Sequence, residues 1–193
     1  MGALNAIKVQ PKKFPKSLFL YCDYVGQYKN VSTVYNNIGQ NVRPHFYATN
    51  EMCGIYYDNP NVVQDKNYCR AVCGLLIQEE ERAKAEVFVR EHPIFKLRDL
   101  PETDAVSTTF PFRSQLSYIF LIGKVYPELK SFAFRNRIFN GPEDMRGIIE
   151  LYHFLDIKPS IELFLPYGEN LQKLQFSAQP EPLHRMVGDK KSN

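Results

Sequence analysis

The chain has 193 residues, of which 44% are hydrophobic and 23% charged, and its formal net charge is +3. This composition is ordinary for a globular protein, and the length suits one compact domain that needs no disulfide or metal to hold its core together. The weak and scattered positive charge argues against nucleic acid as a partner, because no Lys/Arg run or basic helix is present. The longest apolar run, YIFLIG, is too short for membrane insertion, and no apolar leader is visible, so we expect a cytoplasmic protein.

In chain order, the sequence predicts strand–helix–strand–strand twice. The first series opens with SLFLYCDYV and closes with NYCRAVCGLLI, and the second opens with AVSTTFPF and closes with SIELFLPY. Between them, QEEERAKAEVFVREH predicts a helix, because its acids come first and its bases later, as the helix dipole prefers. Pro127 is expected to kink or break the long helix of the second series. The predicted segments are an N-terminal arm (1–16), a single domain (17–168) of two repeats (17–77 and 105–167) joined by a helical connector (78–92), and a C-terminal tail (169–193).

The apparent duplication predicts an α+β fold. Two βαββ units can pair about a pseudo-two-fold axis, and we expect an antiparallel sheet with helices on one face and a ligand groove on the other. Clefts between structural units are where small ligands usually bind, so the duplication indicates a binding site before any catalytic residue is considered. A coincidental strand pattern is the alternative to a true repeat.

The last two predicted strands carry the candidate site. Alternation puts Glu150 and Tyr152 on one face of the first strand, and Glu162 and Phe164 on one face of the second. A turn centred near Asp156 would place Glu150 opposite Glu162, with the aliphatic faces of both strands packed against helices. This acidic and aromatic face is then either solvated, which antiparallel sheets permit, or turned toward a groove that attracts a cation.

Two residues of the first repeat are assigned to the same site. Tyr57 occupies the place in the first hairpin that Tyr152 holds in the second. Arg70 could point to the same side and partly neutralise the acids. The sequence therefore predicts Tyr57, Tyr152, Phe164 and Arg70 as ligand-binding residues.

The four cysteines predict neither a disulfide nor a metal site. If Cys69 and Cys73 share a strand they lie ~13 Å apart, beyond the reach of a disulfide or of one shared ion. No spacing typical of metal ligands occurs among the four cysteines and four histidines. We therefore expect free thiols, no metal and no cofactor.

Few sequence features indicate catalysis, since no GxSxG, Walker loop or HExxH motif is present. If a reaction occurs, the candidates are Glu150 or Glu162 as a general base toward water, with Tyr57 or Tyr152 orienting the substrate. A carboxylate enclosed by aromatic rings has a raised pKa, which suits base chemistry near neutral pH.

The order of short motifs is distinctive. GIYYDNPNVV and CRAV are followed by VSTTFPF, a long helix, ELYHF and IELFLPY. This order resembles the GyrI-like (SHS2-derived) small-molecule-binding superfamily over roughly residues 8–168. The closest likeness is to the cytosolic domain of the testis-expressed ER-phagy receptor family.

The resemblance implies two βαββ repeats around a central groove. In bacterial relatives that groove binds lipophilic, often cationic compounds, and some members hydrolyse strained, cyclopropane-bearing toxins. The groove glutamate of the family carries over to Glu150, and its aromatic neighbour to Tyr152. The chain shows neither the membrane anchor nor the acidic adaptor-binding tail of the ER-phagy receptors, and it has no Trp, so aromatic roles in the groove fall to Tyr or Phe.

Three functions follow as hypotheses. The first is binding of small amphipathic or lipophilic-cationic molecules. The second is hydrolysis of strained electrophiles with Glu150 as general base. The third is an adaptor or interaction module that uses its surface to hold a protein partner.

Overall fold

The computed structural model describes residues 7–47, 50–112, 114, 116–141, 145, 147–154 and 157–174. These residues form an α+β protein whose strands all pair antiparallel where their register is given. The chain divides into two compact units. The first-repeat unit is Ser17–Asp99, and the second-repeat unit combines the chain up to Lys16 with the segment that begins at Leu100.

The first-repeat unit is a four-stranded sheet with the strand order β3-β4-β2-β5. Its helices are α1, which continues into a π-helical turn (Ile38–Val42), and α2, the predicted connector, which follows a short 3-10 turn. The elements are β2 (Ser17–Val25), α1 (Ser32–Asn37), β3 (Glu51–Tyr56), β4 (Arg70–Ile77), α2 (Arg82–Glu91) and β5 (Lys96–Leu100).

The second-repeat unit has the strand order β1-β6-β8-β7. The order β7-β8-β6 repeats β3-β4-β2, so both units follow the predicted strand–helix–strand–strand path. The elements are β1 (Gln10–Phe14), β6 (Thr103–Pro111), α3 (Leu116–Phe120), α4 (Tyr126–Arg135), β7 (Ile148–His153) and β8 (Ser160–Pro166).

Each sheet has an edge strand that the repeat pattern did not include. β1 pairs with β6, from Gln10 opposite Ser107 to Phe14 opposite Thr103, and it lies within the segment predicted as an arm. β5 lies beside β2 at the corresponding edge. The exposed lysines of β1 suit an edge strand, because charge on an edge discourages pairing with other chains. Residues 1–6 of the predicted arm and 175–193 of the predicted tail lie outside the described residues.

The long helix of the second-repeat unit packs through a narrow apolar stripe. Leu121, Val125, Leu129 and Ala133 recur every four residues and are fully buried. Pro127 stands in the first turn of α4, directly after a π-helical turn (Leu121–Val125) that joins α3 to α4. The helix is thus not broken at Pro127, but its winding changes from π to α just before the proline. In the first turn of α4 the missing N–H of proline is tolerated.

The strands explain why the sequence showed long apolar runs. In β2, β4 and β8 most residues are buried, on both faces of the sheet. The four cysteines are buried and form no disulfide. Within the described residues, no group of three potential metal ligands is found, and no helix has the length and apolarity to cross a bilayer.

A pair of glycine substitutions tests the approach of β4 to β2. A Cβ on Gly74 would lie 2.0 Å from the backbone oxygen of Leu20, whereas a Cβ on Gly123 would meet nothing within 4 Å. We expect Gly74→Ala to lower the free energy of unfolding by about 1–3 kcal/mol or more, because backbone cannot yield as a side chain can. Gly123→Ala should leave it unchanged or raise it by up to about 1 kcal/mol, through helix propensity. Urea unfolding of both variants measures this, and equal stabilities would contradict the close approach.

Candidate functional site

The register of the β7–β8 hairpin decides which side chains share a face. Glu150 pairs with Leu163, and Leu151 pairs with Glu162. Residues directly opposite each other point to the same face, so Glu150 and Glu162 lie on opposite faces of the sheet. The prediction that Glu150 lies opposite Glu162 is wrong by one residue of register. Asp156, the centre of the predicted turn, lies outside the described residues.

The same register redistributes the rest of the predicted site. Tyr152 pairs with Ile161, so it shares the face of Glu150 and Leu163. Phe164 pairs with Ile149 and therefore lies with Glu162 on the other face. The four residues expected together thus form two separate pairs, and all four are buried.

Glu150 faces the helices of its unit. Only 5% of Glu150 is exposed, and Tyr126, in the first turn of α4, donates its phenol O–H to Oε1. Tyr152 donates its phenol O–H to Oε2, from two residues along the same strand. The expectation that Glu150 lies on the face away from the helices is therefore wrong. Each carboxylate oxygen accepts from one phenol, which offsets much of the cost of burying the charge.

Aromatic rings extend from this carboxylate in a connected series. Tyr152 contacts Phe154 with ring centroids 5.3 Å apart, and Phe154 contacts Phe112 at 5.1 Å. Phe112 in turn contacts Tyr118 of α3 at 5.2 Å. We call Tyr118, Phe112, Phe154 and Tyr152 the aromatic series. Phe154 is 37% exposed, so the series runs from the buried carboxylate to the surface of the unit.

Tyr118, the last ring of the series, has its pKa shifted in part by the charge of Glu150. Burial, and after it the negative charge of Glu150, raises the pKa of Tyr118 to about 12. The Tyr118 phenol is therefore neutral at physiological pH and keeps its O–H as a donor. Glu150 thus stands among three tyrosine hydroxyls, two that donate to it and one whose ionisation its charge opposes. Such a site offers negative charge, hydroxyl donors and ring faces together.

Glu162 has a different set of partners on the opposite face. Lys12 of β1 donates to Oε1 at 2.7 Å and Ser107 of β6 donates to the same oxygen at 2.8 Å. His153 Nε2 lies 3.6 Å from Oε2. Burial by itself raises the pKa of Glu162, but the contacts with His153, Lys12 and Ser107 outweigh it and lower that pKa to about 2. A carboxylate held in this way is ionised and engaged, which suits an anchor for the edge strand better than a general base.

Phe164 belongs to the anchor of Glu162. Its ring meets Phe14 edge-on with centroids 5.4 Å apart, and the Lys12 ammonium lies 5.5 Å from the Phe164 centroid. Phe14 and Phe164 are fully buried. Phe164, which the sequence predicts as a ligand-binding residue, therefore does not lie in the Glu150 cluster.

Tyr57 and Arg70 lie in the first-repeat unit, at the end of the β3–β4 hairpin. The Tyr57 N–H donates to the Arg70 carbonyl at 3.0 Å. The Arg70 guanidinium binds both carboxylate oxygens of Asp58, at 2.9 and 2.7 Å, and the Arg70 N–H donates to Asp58 at 2.7 Å. Arg70 is exposed, and its charge is directed to Asp58. This arrangement closes the loop between the two strands.

The residue of β3 that meets a helix is Tyr56. Its phenol oxygen lies 3.2 Å from that of Tyr35 in α1. A Cβ on Gly54 would lie 2.1 Å from the Tyr35 hydroxyl, so the glycine makes room for that phenol. In each unit a tyrosine of a helix therefore reaches the sheet. In the first-repeat unit it meets another tyrosine, and in the second-repeat unit it meets a carboxylate.

The sequence analysis did not assign Tyr126, Tyr118 or Lys12 to a site. The one available signal was the polar hydroxyl of Tyr126, next to the apolar stripe of the helix.

Comparison with known proteins gives similarity in structure alone. No protein-family model and no curated protein sequence matches the chain. The C-terminal domain of EcmrR superposes with a TM-score of 0.58 at 13% identity, over 84% of this chain and 98% of that domain. EcmrR in a complex with DNA gives 0.60 at 14% identity, but the match covers 84% of this chain and 57% of that one. SAV2435 bound to tetraphenylphosphonium gives 0.51 at 8% identity, over 84% and 94%.

The likeness is one of fold. It agrees with the GyrI-like architecture that the motif order implied, and no match in sequence adds to it. The comparisons give no support to the closer likeness to the ER-phagy receptor family.

The contribution of Glu162 to the free energy of unfolding should depend on pH. The folded pKa of Glu162 is below its ordinary value of 4.5, so its stabilisation is present above pH 4.5 and is lost as the pH falls toward 2. We expect Glu162→Gln to lower the free energy of unfolding by about 1–2 kcal/mol at pH 7, since solvent screens the half-exposed Lys12. Unfolding in urea at several pH values should show the difference from the wild type shrinking below pH 4.5. A difference that is constant down to pH 2.5 would contradict this account.

Proposed function

We propose that the protein binds small amphipathic or lipophilic-cationic molecules at Glu150. One observation carries the proposal: a buried carboxylate on a sheet face accepts hydrogen bonds from Tyr126 and Tyr152 and adjoins a series of aromatic rings. A lipophilic cation gains from such a site in two ways, since it meets a negative charge and apolar ring surface together.

The aromatic series supplies the second part of the interaction. A cation over the face of a Tyr or Phe ring gains ~0.5–2 kcal/mol, most when the ring is desolvated. Tyr152 is buried, whereas Phe154 reaches the surface. A ligand with apolar groups around a positive centre can therefore bury those groups against the rings while its charge approaches Glu150. A small hydrated cation lacks the apolar area to do so.

The structural neighbours support this ligand class without establishing it for this chain. SAV2435 has a solved structure in which it is bound to tetraphenylphosphonium, a lipophilic cation, and it shares the fold. EcmrR has been seen on DNA, and this chain spans 57% of that protein, so the expected absence of a nucleic-acid partner stays a prediction. The expected cytoplasmic location and the adaptor hypothesis also stay predictions.

Replacement of the carboxylate by its neutral amide tests the binding site. We expect Glu150→Gln to weaken tetraphenylphosphonium binding about tenfold or more in calorimetry, because the ion pair is lost while the shape is kept. Triphenylphosphine oxide, a neutral compound with three of the four phenyl rings, should bind both forms equally. Glu81→Gln is the matched control. It alters a second buried carboxylate, in the first-repeat unit, which accepts from Asn50 at 2.6 Å.

The outcomes are distinguishable. Equal loss of affinity in Glu150→Gln and Glu81→Gln would indicate a general effect on the fold. Unchanged affinity in Glu150→Gln would contradict the proposal, and a melting temperature measured beside each titration shows whether the variant is folded.

A second candidate function, hydrolysis of strained electrophiles, gains from the same tyrosines. The sequence offered a general base but no donor for the departing charge. Tyr126 and Tyr152 are O–H donors beside Glu150, and they could stabilise negative charge that develops on a substrate. Opening a strained ring needs less help than cleaving an ester, since the ring strain supplies driving force.

Turnover is therefore expected on cyclopropane-bearing electrophiles and not on esters, peptides or phosphates. Glu150→Gln should abolish it, and Tyr126→Phe should reduce kcat about 10²-fold if the phenol acts on the transition state. Chromatographic detection of the ring-opened product measures both. Turnover of a simple ester that survives Glu150→Gln would contradict this mechanism, and no turnover of any strained electrophile would leave binding as the function.

A further inference from the structure

The longest apolar run of the chain, YIFLIG (118–123), contributes only part of its side chains to the core. Leu121 is fully buried in the apolar stripe of the helix, whereas Ile119, Phe120 and Ile122 are 66%, 48% and 63% exposed. Single exposed apolar residues are common on proteins, but three within four consecutive positions form a patch that calls for an explanation. We call Ile119, Phe120 and Ile122 the apolar tips. They lie on α3 and on the π-helical turn that follows it.

More apolar side chains are exposed at the same end of the second-repeat sheet. The Phe112 ring contacts both Tyr118 of α3 and Phe154, and the Phe112 N–H donates to the Pro159 carbonyl at 2.8 Å. These contacts bring the start of α3 and the loop between β7 and β8 to one end of the sheet. In that loop Ile157 is fully exposed, and Phe154 at its start is partly exposed. The apolar tips are therefore part of a wider apolar end of the unit.

The charge that accompanies the apolar tips is basic. Residues 105–127 contain no Asp or Glu, whereas Arg113 and Lys124 lie in that interval. Lys124 is exposed directly after the tips, and Lys158 is exposed in the loop between β7 and β8, where Asp156 lies outside the described residues. Neither lysine makes a hydrogen bond or ion pair with a described residue. Both ammonium groups are therefore available to an anionic partner.

A lipid bilayer fits this combination of shape and charge better than a protein partner does. Side chains that are exposed by half or two thirds project from the helix, so they offer a peptide no groove in which to pack. A symmetric pair of copies joined through the tips would bring Lys124 of one copy toward Lys124 of the other, where like charges repel. A fluid bilayer needs no matching shape, and anionic headgroups attract lysine side chains at the level where apolar side chains enter.

We propose that the apolar tips dock this protein on the surface of bilayers that contain anionic lipids. The tips enter the boundary between headgroups and acyl chains, while Lys124 and Lys158 stay among the headgroups. The docking is shallow, because a run of this length is too short to span a bilayer. Three partly exposed side chains and two lysines support weak, reversible binding, with half-saturation at about 0.1–1 mM lipid. This surface goes beyond the proposed ligand site, since docking needs neither Glu150 nor a cation.

Tryptophan fluorescence tests the docking, because the chain contains no Trp and one substitution gives a single probe. Phe120→Trp places an indole at the tips, and Tyr68→Trp, at an exposed position of the first-repeat unit, is the matched control. Each full-length variant is titrated with vesicles of phosphatidylcholine and phosphatidylserine, and with vesicles of phosphatidylcholine alone. We expect the emission of Phe120→Trp to shift to the blue by about 10 nm or more on the anionic vesicles, because the indole leaves water. The emission of Tyr68→Trp should not shift.

Cosedimentation with the anionic vesicles measures the contribution of each part of the patch. Ile119→Ser combined with Ile122→Ser should weaken binding about fivefold or more, because less apolar area enters the bilayer. Lys124→Gln should weaken it about fivefold, and added salt should weaken it further. Val87→Ser, at an exposed apolar position of α2, should leave binding unchanged. A melting temperature measured for each variant shows that it is folded.

The opposite results would overturn the proposal. These are an emission of Phe120→Trp that does not shift on anionic vesicles, or vesicle binding that survives the double serine replacement unchanged. A dimer in sedimentation equilibrium that the double replacement converts to a monomer, with no binding to vesicles, would also overturn it and would assign the tips to a second copy. None of these measurements includes a cationic ligand, so failure of tetraphenylphosphonium binding at Glu150 would not alter their outcome.

Discussion

A carboxylate buried on a sheet face must find hydrogen-bond donors on that face, and the pairing of β7 with β8 decides which donors each glutamate meets. Because Glu150 is opposite Leu163, it points at the helices and accepts from Tyr126 and Tyr152. Because Glu162 is opposite Leu151, it points the other way and meets Lys12 from the edge strand. A slip of one residue would exchange these environments, burying each acid without its donors. The hairpin register therefore fixes both the candidate site and the anchor of β1.

The buried carboxylates differ in their hydrogen-bond partners. Glu162 meets a lysine, a serine and a histidine, which lower its pKa to about 2 and make it part of the framework. Glu81 accepts from the Tyr47 N–H and the Asn50 amide, tying a loop to the start of α2. Glu150 instead meets neutral phenols beside aromatic rings that reach the surface. A phenol that donates to a carboxylate stabilises its charge by hydrogen bonding. The hydrogen-bond partners, more than the extent of burial, therefore distinguish these carboxylates from one another.

The long helix of the second-repeat unit positions part of this site. Its apolar stripe fixes the rotation of α4, and that rotation carries Tyr126 onto Glu150. An acid and two phenols are thus positioned by one helix and one hairpin. The hairpin and α4 therefore place these polar groups by the same packing that forms the hydrophobic core.

The sequence by itself determined the α+β class, the repeated strand–helix–strand–strand order, the connector helix and the common face of Glu150 and Tyr152. Those features depend on local periodicity and on residues two apart in one strand, which share a face whatever the strand pairs with. Only the tertiary structure decided that Glu162 and Phe164 face away from Glu150, that β1 is an edge strand, and that Tyr126 and Tyr118 come to the carboxylate. Hairpin register depends on the turn geometry and on the packing of both faces, and these strands are buried on both faces. An alternating pattern then carries no marker of which face is which, so only three-dimensional packing could separate the two acids.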